Sequence, residues 1–425
     1  MSVAFFGIAI CASASVKAES DLSYKVVAGD TLSGLASKYL NRVSDYRIVQ
    51  KRNGIANPYR IPVGTILKFP RSILKFRPSS ARLASVKGQV TTSIDGKAAP
   101  AVSGLLLMEG QELVTAGGAF AALTLEDGSR ISVPSNSEMK LVRLRRYVLD
   151  SALDYDFRVE RGSARSKVVP LKSKNDRYQV RTPRAVSAVR GTDFQTRFDE
   201  KANRDFAEVD EGALAVNVPG GPEQSLPAGN GLAVNADGSF ITEALLPPIE
   251  IAGAGRLQNN PAVRFILPKT DNAIRVSIAR DAAFQEQVAD QIATDGNADF
   301  DNLDDGNYFL RARAISTNGL EGLPITYAFK RRLNAISGSA GQGTDGWLFK
   351  WNSEGAGKIR YNFQLYRGST DNVAFVDEAG LETLQVILSD LPDGEYFWRV
   401  GAVQYVDGET NTNWTPFEKI IVSAN

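Results

Sequence analysis

The segment "NLDDGNYFLRARA" at 302–314 returns as "DLPDGEYFWRVGA" at 390–402. Leu303 and Leu391, Gly306 and Gly394, Tyr308 and Tyr396, and Arg311 and Arg399 are each offset by 88 residues. Each copy reads as a tight turn feeding an alternating strand, and such a unit cannot bury its apolar face alone. The recurrence therefore predicts two β modules, 258–333 and 344–424. The Gly/Ser-rich "SGSAGQGTDG" at 337–346 would be a hinge between them.

Upstream, residues 83–245 keep the β pattern. In "ALTLEDGSRISV", Leu123 and Leu125 fall on one side and Ile131 and Val133 on the return. Asp127-Gly128 reads as a two-residue I′ turn between them. Short strands punctuated this densely by Gly and Pro predict a sandwich or barrel-like domain. "LPPIEIAGAGRL" at 246–257 and the basic "RSILKFRPSSAR" at 71–82 read as linkers. Residues 24–70 differ. Tyr24–Val27 alternates like a strand, Leu32, Leu35, Ala36, Tyr39 and Leu40 recur at helical spacing, and 65–69 returns as a strand. Asp30 and Ser44 are the expected N-caps of two helices, and Asn53-Gly54 the close of the second, giving a small βααβ module. The expected fold class is thus multidomain and mainly β.

The sequence contains no His and a single Cys, Cys11. That composition excludes Ser-His-Asp and Cys-His catalysis and His-ligated zinc. Cys11 lies in the apolar run Val3–Ala12, too short to span a bilayer but suited to the h-region of a signal peptide over 1–18. Val16-Lys17-Ala18 offers the cut, with Ala12-Ser13-Ala14 as the second choice. The n-region carries no Lys or Arg, so the true start codon and cleavage site stay open. No later apolar run approaches about 20 residues, so export is expected to leave no transmembrane segment. Charge is unevenly spread: twelve Lys and Arg stand against two Asp and Glu in 24–82, but 16 against 23 in 246–425. A basic N-terminal module suits an anionic matrix as well as a merely solvated face.

Two stretches carry family signatures. "YKVVAGDTLSGLASKYL" and "RNGIANPYRIPVGTILKFP" resemble the LysM domain. The resemblance implies binding of N-acetylglucosamine-containing glycan, peptidoglycan or chitin, in a groove between two loops. The implied glycan-binding residues are Gly29, Asp30, Thr31 and Leu32 with Asn57, Pro58, Tyr59 and Ile61. Asp30 and Leu32 also have structural roles independent of any sugar. "SVKGQV", "FRVERGSARSKV" and above all "VRTPRAVSAVRGTDFQTRF" resemble the FecR family. In its namesake this domain is the periplasmic part of a transmembrane relay; no spanning helix or cytoplasmic tail is expected among these residues, so the relay function is not expected to transfer. Physically, Gly191 suits a positive φ, and Arg190 and Thr192 suit tying down a loop. The two C-terminal repeats resemble immunoglobulin-like or fibronectin type III-like sandwiches, on pattern alone.

Other constellations are weaker. "EGAGKIR" departs from the P-loop pattern at Ile359. Asp295, Asp299, Asp301, Asp304 and Asp305 lack EF-hand spacing and read as a solvated loop. Asp150, Asp154, Asp156 and Glu160 could be glycosidase carboxylates, but alternation places them on a strand's wet face. "RLRRY" and "FKRRL" are too short to argue for nucleic acid. The expectation is a non-catalytic, cofactor-free and metal-free periplasmic protein. It would be held to peptidoglycan by its N-terminal module and would scaffold envelope proteins of unknown identity. A periplasmic sensor is the alternative, and a peptidoglycan hydrolase the third reading. Oligomeric state and physiological trigger are not legible.

Overall fold

The computed structural model describes residues 21–94, 96–251 and 256–423. The leader expected over 1–18, with Cys11 and the cut sites, lies outside them, as does part of 246–257. Near the N-terminus, strand Leu22–Lys25 pairs antiparallel with Ile66–Phe69, and helices Leu32–Tyr39 and Tyr46–Arg52 lie between, the second led by the 3₁₀ turn Val43–Asp45. The expected βααβ order is observed. Leu32, Leu35, Ala36 and Tyr39 form the buried face of the first helix, against Val49, Leu67 and Phe69.

The caps differ from expectation. Thr31, at φ −128° and ψ 155°, is the N-cap of the first helix, its Oγ1 accepting from the Gly34 N–H at 3.1 Å. Asp30 instead locks the preceding turn, where its Oδ2 accepts from the Val27 N–H at 2.8 Å and the Tyr24 hydroxyl at 3.0 Å. The second helix has no side-chain cap from Ser44 or Asp45. Its C-terminus closes as expected, with Gly54 at φ +61°. Asn53 ties that end to the returning strand, donating to the Val49 and Lys68 carbonyls and accepting from the Lys68 N–H at 2.7 Å.

Residues 71–82 are structured rather than a free tether. A 3₁₀ turn, Arg71–Ile73, leads into strands Phe76–Pro78 and Ala81–Lys87. Leu74 is buried and bridges to Leu40. The buried Arg71 guanidinium lies 5.4 Å from the Tyr147 ring centre and donates to the Asn175 carbonyl at 2.6 Å. Leu74, Tyr147, Leu149 and Ala152 thereby join the core of the N-terminal module. Basic composition concealed this, because the apolar residues of the segment seat on a surface supplied from about 75 residues later in the chain.

From Phe76 to Ala244 the strands close into one barrel-like β domain. The 120–133 hairpin forms with Leu123 opposite Ile131. Its turn is longer than the expected I′ pair: the Leu125 N–H donates to the Ser129 carbonyl, the Gly128 N–H to the Leu125 carbonyl, and only Gly128 has positive φ, +89°. This is a three-residue loop with glycine in the left-handed position. Two long strands, Ser137–Tyr147 and Leu153–Lys167, carry the domain, and the second also pairs in parallel with Arg177–Arg181.

One compact unit takes the chain up to residue 249 together with 272–290 and 312–325; the other takes 250–271, 291–311 and 326–425. Residues of the first repeat are thus shared between the two. In the second unit, Asn334–Gly343, Gly346–Gly355 and Gln385–Leu388 form one sheet. A second contains Val376–Leu381, Lys358–Arg367, Gly394–Val406, Glu409–Trp414 and Glu418–Val422. Phe349 packs 4.9 Å from Phe363 and 5.2 Å from Trp398 by ring centres, at the middle of a shared core. The expected hinge at 337–346 is largely strand. A Cβ on Gly338 would stand 2.7 Å from the Trp398 ring, so the small residue admits the indole rather than loosening the chain. The two repeat tyrosines are equivalent. Both are buried; the Tyr308 hydroxyl donates to the Asp304 carbonyl at 2.9 Å and the Tyr396 hydroxyl to the Pro392 carbonyl at 2.8 Å. A tyrosine bonding back to the chain in this way is a feature of immunoglobulin-type sandwiches.

Candidate functional site

The two loops singled out from the sequence meet. The Leu32 N–H donates to the Pro58 carbonyl at 3.0 Å, joining the turn before the first helix to the loop before the second strand of the module. Gly29 has φ +90°, which turns the chain sharply ahead of the helix and favours glycine there. Opposite, the Asn57 side chain accepts from the Tyr59 N–H at 2.9 Å and the Asn57 carbonyl from the Arg60 N–H at 3.3 Å, a self-contained Asx turn.

Burial divides the eight candidates. Leu32 and Ile61 are buried in the core of the module. Asp30 is committed to Val27 and Tyr24. Gly29, Asn57 and Tyr59 are exposed, and Thr31 and Pro58 partly so. Tyr59, a large ring with 72% of its surface open, is the most conspicuous of them. Turn backbone, one amide side chain and an exposed ring are groups able to hydrogen-bond an amide and to pack on an apolar face. The Tyr24 hydroxyl is pushed up to about 12, first by burial and then by Asp30, so it stays a donor throughout the physiological range.

The alternative carboxylate site takes a different form. Asp154 and Asp156 are not on a wet face; both side chains are fully buried. Asp154 accepts from Arg177 Nε and Nη2, each at 2.7 Å, and from the Tyr147 hydroxyl at 2.9 Å. Asp156 is held by Arg181 at 2.8 Å and by Arg143. Burial alone would raise the Asp154 carboxyl, but Arg177, Arg143 and Arg71 outweigh it and hold it below the ordinary range. Carboxylates spent on guanidinium groups in this way neither protonate a glycosidic oxygen nor attack a sugar. Strand alternation misplaced them because the strand has neighbours on both sides and both faces covered.

In the acidic loop, Asp299 pairs with Arg264 at 2.6 Å and Asp305 accepts from the Leu333 N–H at 2.7 Å. In "VRTPRAVSAVRGTDF" the roles expected of the polar residues are seen. Arg190 donates to the Ser173 and Lys174 carbonyls and Thr192 to the Ala213 carbonyl at 2.8 Å, while Gly191 has φ +136°.

A buried ion cluster had no clear signal in the sequence. Asp210 accepts from Arg313 at 2.5 Å and also pairs with Arg165. Nearby, Glu321 accepts from Arg275 Nε at 2.7 Å, whereas Glu208 makes only a 3.3 Å contact with Arg197 and a 3.3 Å bond from the Glu321 N–H. Two carboxylates with unequal partners in one dry site titrate apart. Burial raises Glu208 to about 7, while Arg275 and its neighbours outweigh burial at Glu321 and lower it to about 2. The charges alternate through sequence positions more than 100 apart, so only folding reveals them.

Residues 24–70 match the family described as LysM domain, and residues 111–217 the family described as FecR protein. Both families are binding or regulatory rather than catalytic. No curated protein matches the chain. Among solved structures, a candidate anti-sigma factor from Parabacteroides distasonis is 20% identical, with a TM-score of 0.27. That alignment covers 31% of this chain and 59% of the other, so this chain spans less than two thirds of that protein. The fibronectin(III)-like modules of Clostridium thermocellum CbhA are 14% identical with a TM-score of 0.18, over 41% of this chain and 93% of theirs. No helix among the described residues is long and apolar enough to cross a membrane.

Proposed function

We propose that this chain is a non-catalytic cell-envelope protein, exported to the periplasm, that binds the N-acetylglucosamine-containing glycan of peptidoglycan through residues 24–70. The observation that carries the reading is the joining of the two loops by the Leu32–Pro58 bond, with Gly29, Asn57 and Tyr59 exposed and Thr31 partly exposed along the junction. The match to the LysM domain over the same residues supports it. The FecR-like and sandwich regions would present surfaces to envelope proteins. The FecR match at 111–217 favours a second reading, an envelope sensor whose output depends on wall contact.

Binding of the purified protein to chitotetraose and to sacculi, measured with and without salt, tests the first reading. Chitotetraose should bind at all salt concentrations, and salt should weaken sacculus binding only partly, since the basic surface adds attraction while the groove supplies specificity. Binding to sacculi at low salt alone, with none to chitotetraose, would leave the basic surface as the whole anchor and end the groove reading.

A further inference from the structure

Four charged residues stand in one row across four adjacent strands of the β domain. Arg130 is directly opposite Lys167 and Lys167 opposite Asp193, while Asp193 pairs with Glu211 beside a register shift that leaves Asp210 as the extra residue. Residues directly opposite share a sheet face. The order is therefore cation, cation, anion, anion. Only the central pair is of opposite sign, and it is loose, Lys167 Nζ to Asp193 Oδ2 being 3.8 Å. Like charges directly opposite one another destabilise a sheet, so each end of the row is locally unfavourable. Asp193 is further compensated by Arg165 at 2.9 Å, two residues before Lys167 on the same face of the same strand. Arg130 and Glu211, at the two ends, are exposed and make no ion pair among the described residues.

The row lines a cleft of about 410 Å³. Val168, Val169, Pro170 and Ala283 supply its apolar surface. Gly191 lies in its wall at φ +136°, and a Cβ there would stand 2.9 Å from the Pro170 Cα, so the wall closes only without a side chain.

We propose that this cleft binds a short zwitterionic peptide, its carboxylate over Arg130 and Lys167 and its ammonium over Asp193 and Glu211. Strands lie about 4.8 Å apart, so the centres of the two like-charged pairs are about 10 Å apart. An extended chain covers that distance in about three residues. The small apolar lining suits alanine-sized side chains. The stem peptides of peptidoglycan have this chemistry: alanine methyls, free carboxylates and the amine of a diamino acid. The source assignment rests on the cell-wall reading above, while the cleft chemistry stands apart from it. The wall would then be gripped at two chemically different places, sugar and peptide.

The test uses the full-length protein and the sugar-free tetrapeptide alanyl-γ-glutamyl-diaminopimelyl-alanine, followed by calorimetric titration. Acetylating its amines, or amidating its carboxylates, should each weaken binding about tenfold or more, the scale of a lost charged hydrogen bond. Glu211→Gln should erase the preference for the free amine and keep that for the free carboxylate, and Arg130→Gln the reverse. Both side chains are exposed, and melting of the variants no lower than that of the native protein checks that the fold is kept. Equal binding of all three peptides, or no binding of any, overturns the inference. Trialanine binding as tightly as the tetrapeptide overturns the wall-peptide source. Chitotetraose is titrated in parallel: sugar binding without peptide binding sinks this site alone, and peptide binding without sugar binding sinks the groove alone.

Discussion

Asp30 and Thr31 are adjacent but hold different things, and the difference is measurable. Thr31→Ala removes the acceptor of the Gly34 N–H, and loss of an N-cap costs about 1 kcal/mol. Asp30→Ala removes the acceptor shared by Val27 and Tyr24, and loss of charge-assisted bonds predicts about 1–2 kcal/mol. Both should lower the melting temperature of the protein. Asn57→Ala and Tyr59→Ala should each leave melting nearly unchanged and weaken chitotetraose binding, because Tyr59 is exposed and Asn57 organises only its own turn. Melting curves and titration of the same four variants check the division; a binding loss in Asp30→Ala as large as in Tyr59→Ala would refute it.

Glu208 carries the residue-scale prediction on pH. Its folded pKa is raised, to about 7, so the folded protein binds a proton there that the unfolded chain releases near the ordinary carboxylate value of about 4.3. Its share of stability is therefore full below the unfolded value and is lost as pH rises toward 7. Denaturant midpoints at pH 5 and pH 8 should fall more in the native protein than in Glu208→Gln, which has no proton to lose. Equal falls in the two proteins would show that Glu208 does not hold the proton. Asp210 works in the opposite direction. Held at about 2 because Arg313 and Arg165 outweigh its burial, it contributes stability above the unfolded value that is lost as pH falls toward 2.

At the scale of single elements, two readings of composition fail for the same reason. Gly/Ser richness at 337–346 and basic richness at 71–82 describe what the side chains are, not what faces them. Gly338 lies against Trp398, so Gly338→Val should overpack the sandwich core and cost about 1–3 kcal/mol, seen as a lower denaturant midpoint for the second unit. A hinge would tolerate the change. The helices and hairpins themselves were legible, because their periodicities come from contacts within a few residues. Their turns and caps were less so: the 126–128 loop and the Thr31 cap depend on hydrogen bonds that several neighbouring residues could equally have made.

For the whole molecule, the shared core of Leu74, Tyr147 and the N-terminal module predicts coupled unfolding. Leu74→Ala should cost about 2–5 kcal/mol and lower the protection of amides in helix Leu32–Tyr39 as well as in strand Ser137–Tyr147, read by hydrogen exchange. An effect confined to one of the two elements would mean that they unfold independently. The order of the LysM and FecR-like regions, the βααβ pattern, the β class of the remainder and the paired repeat tyrosines were all determined by the sequence itself. They follow from local periodicity, turn chemistry and an internal recurrence, and none needs a distant residue. The meeting of the two loops that carry the eight candidate glycan residues was legible in the same way, and their binding role is what the titrations test. Folding alone decided that Asp154 and Asp156 are spent on arginines, that Leu74 belongs to two modules, and that Arg130, Lys167, Asp193 and Glu211 form one row. Those depend on strand register, and register joins positions that chain order leaves up to about 80 residues apart.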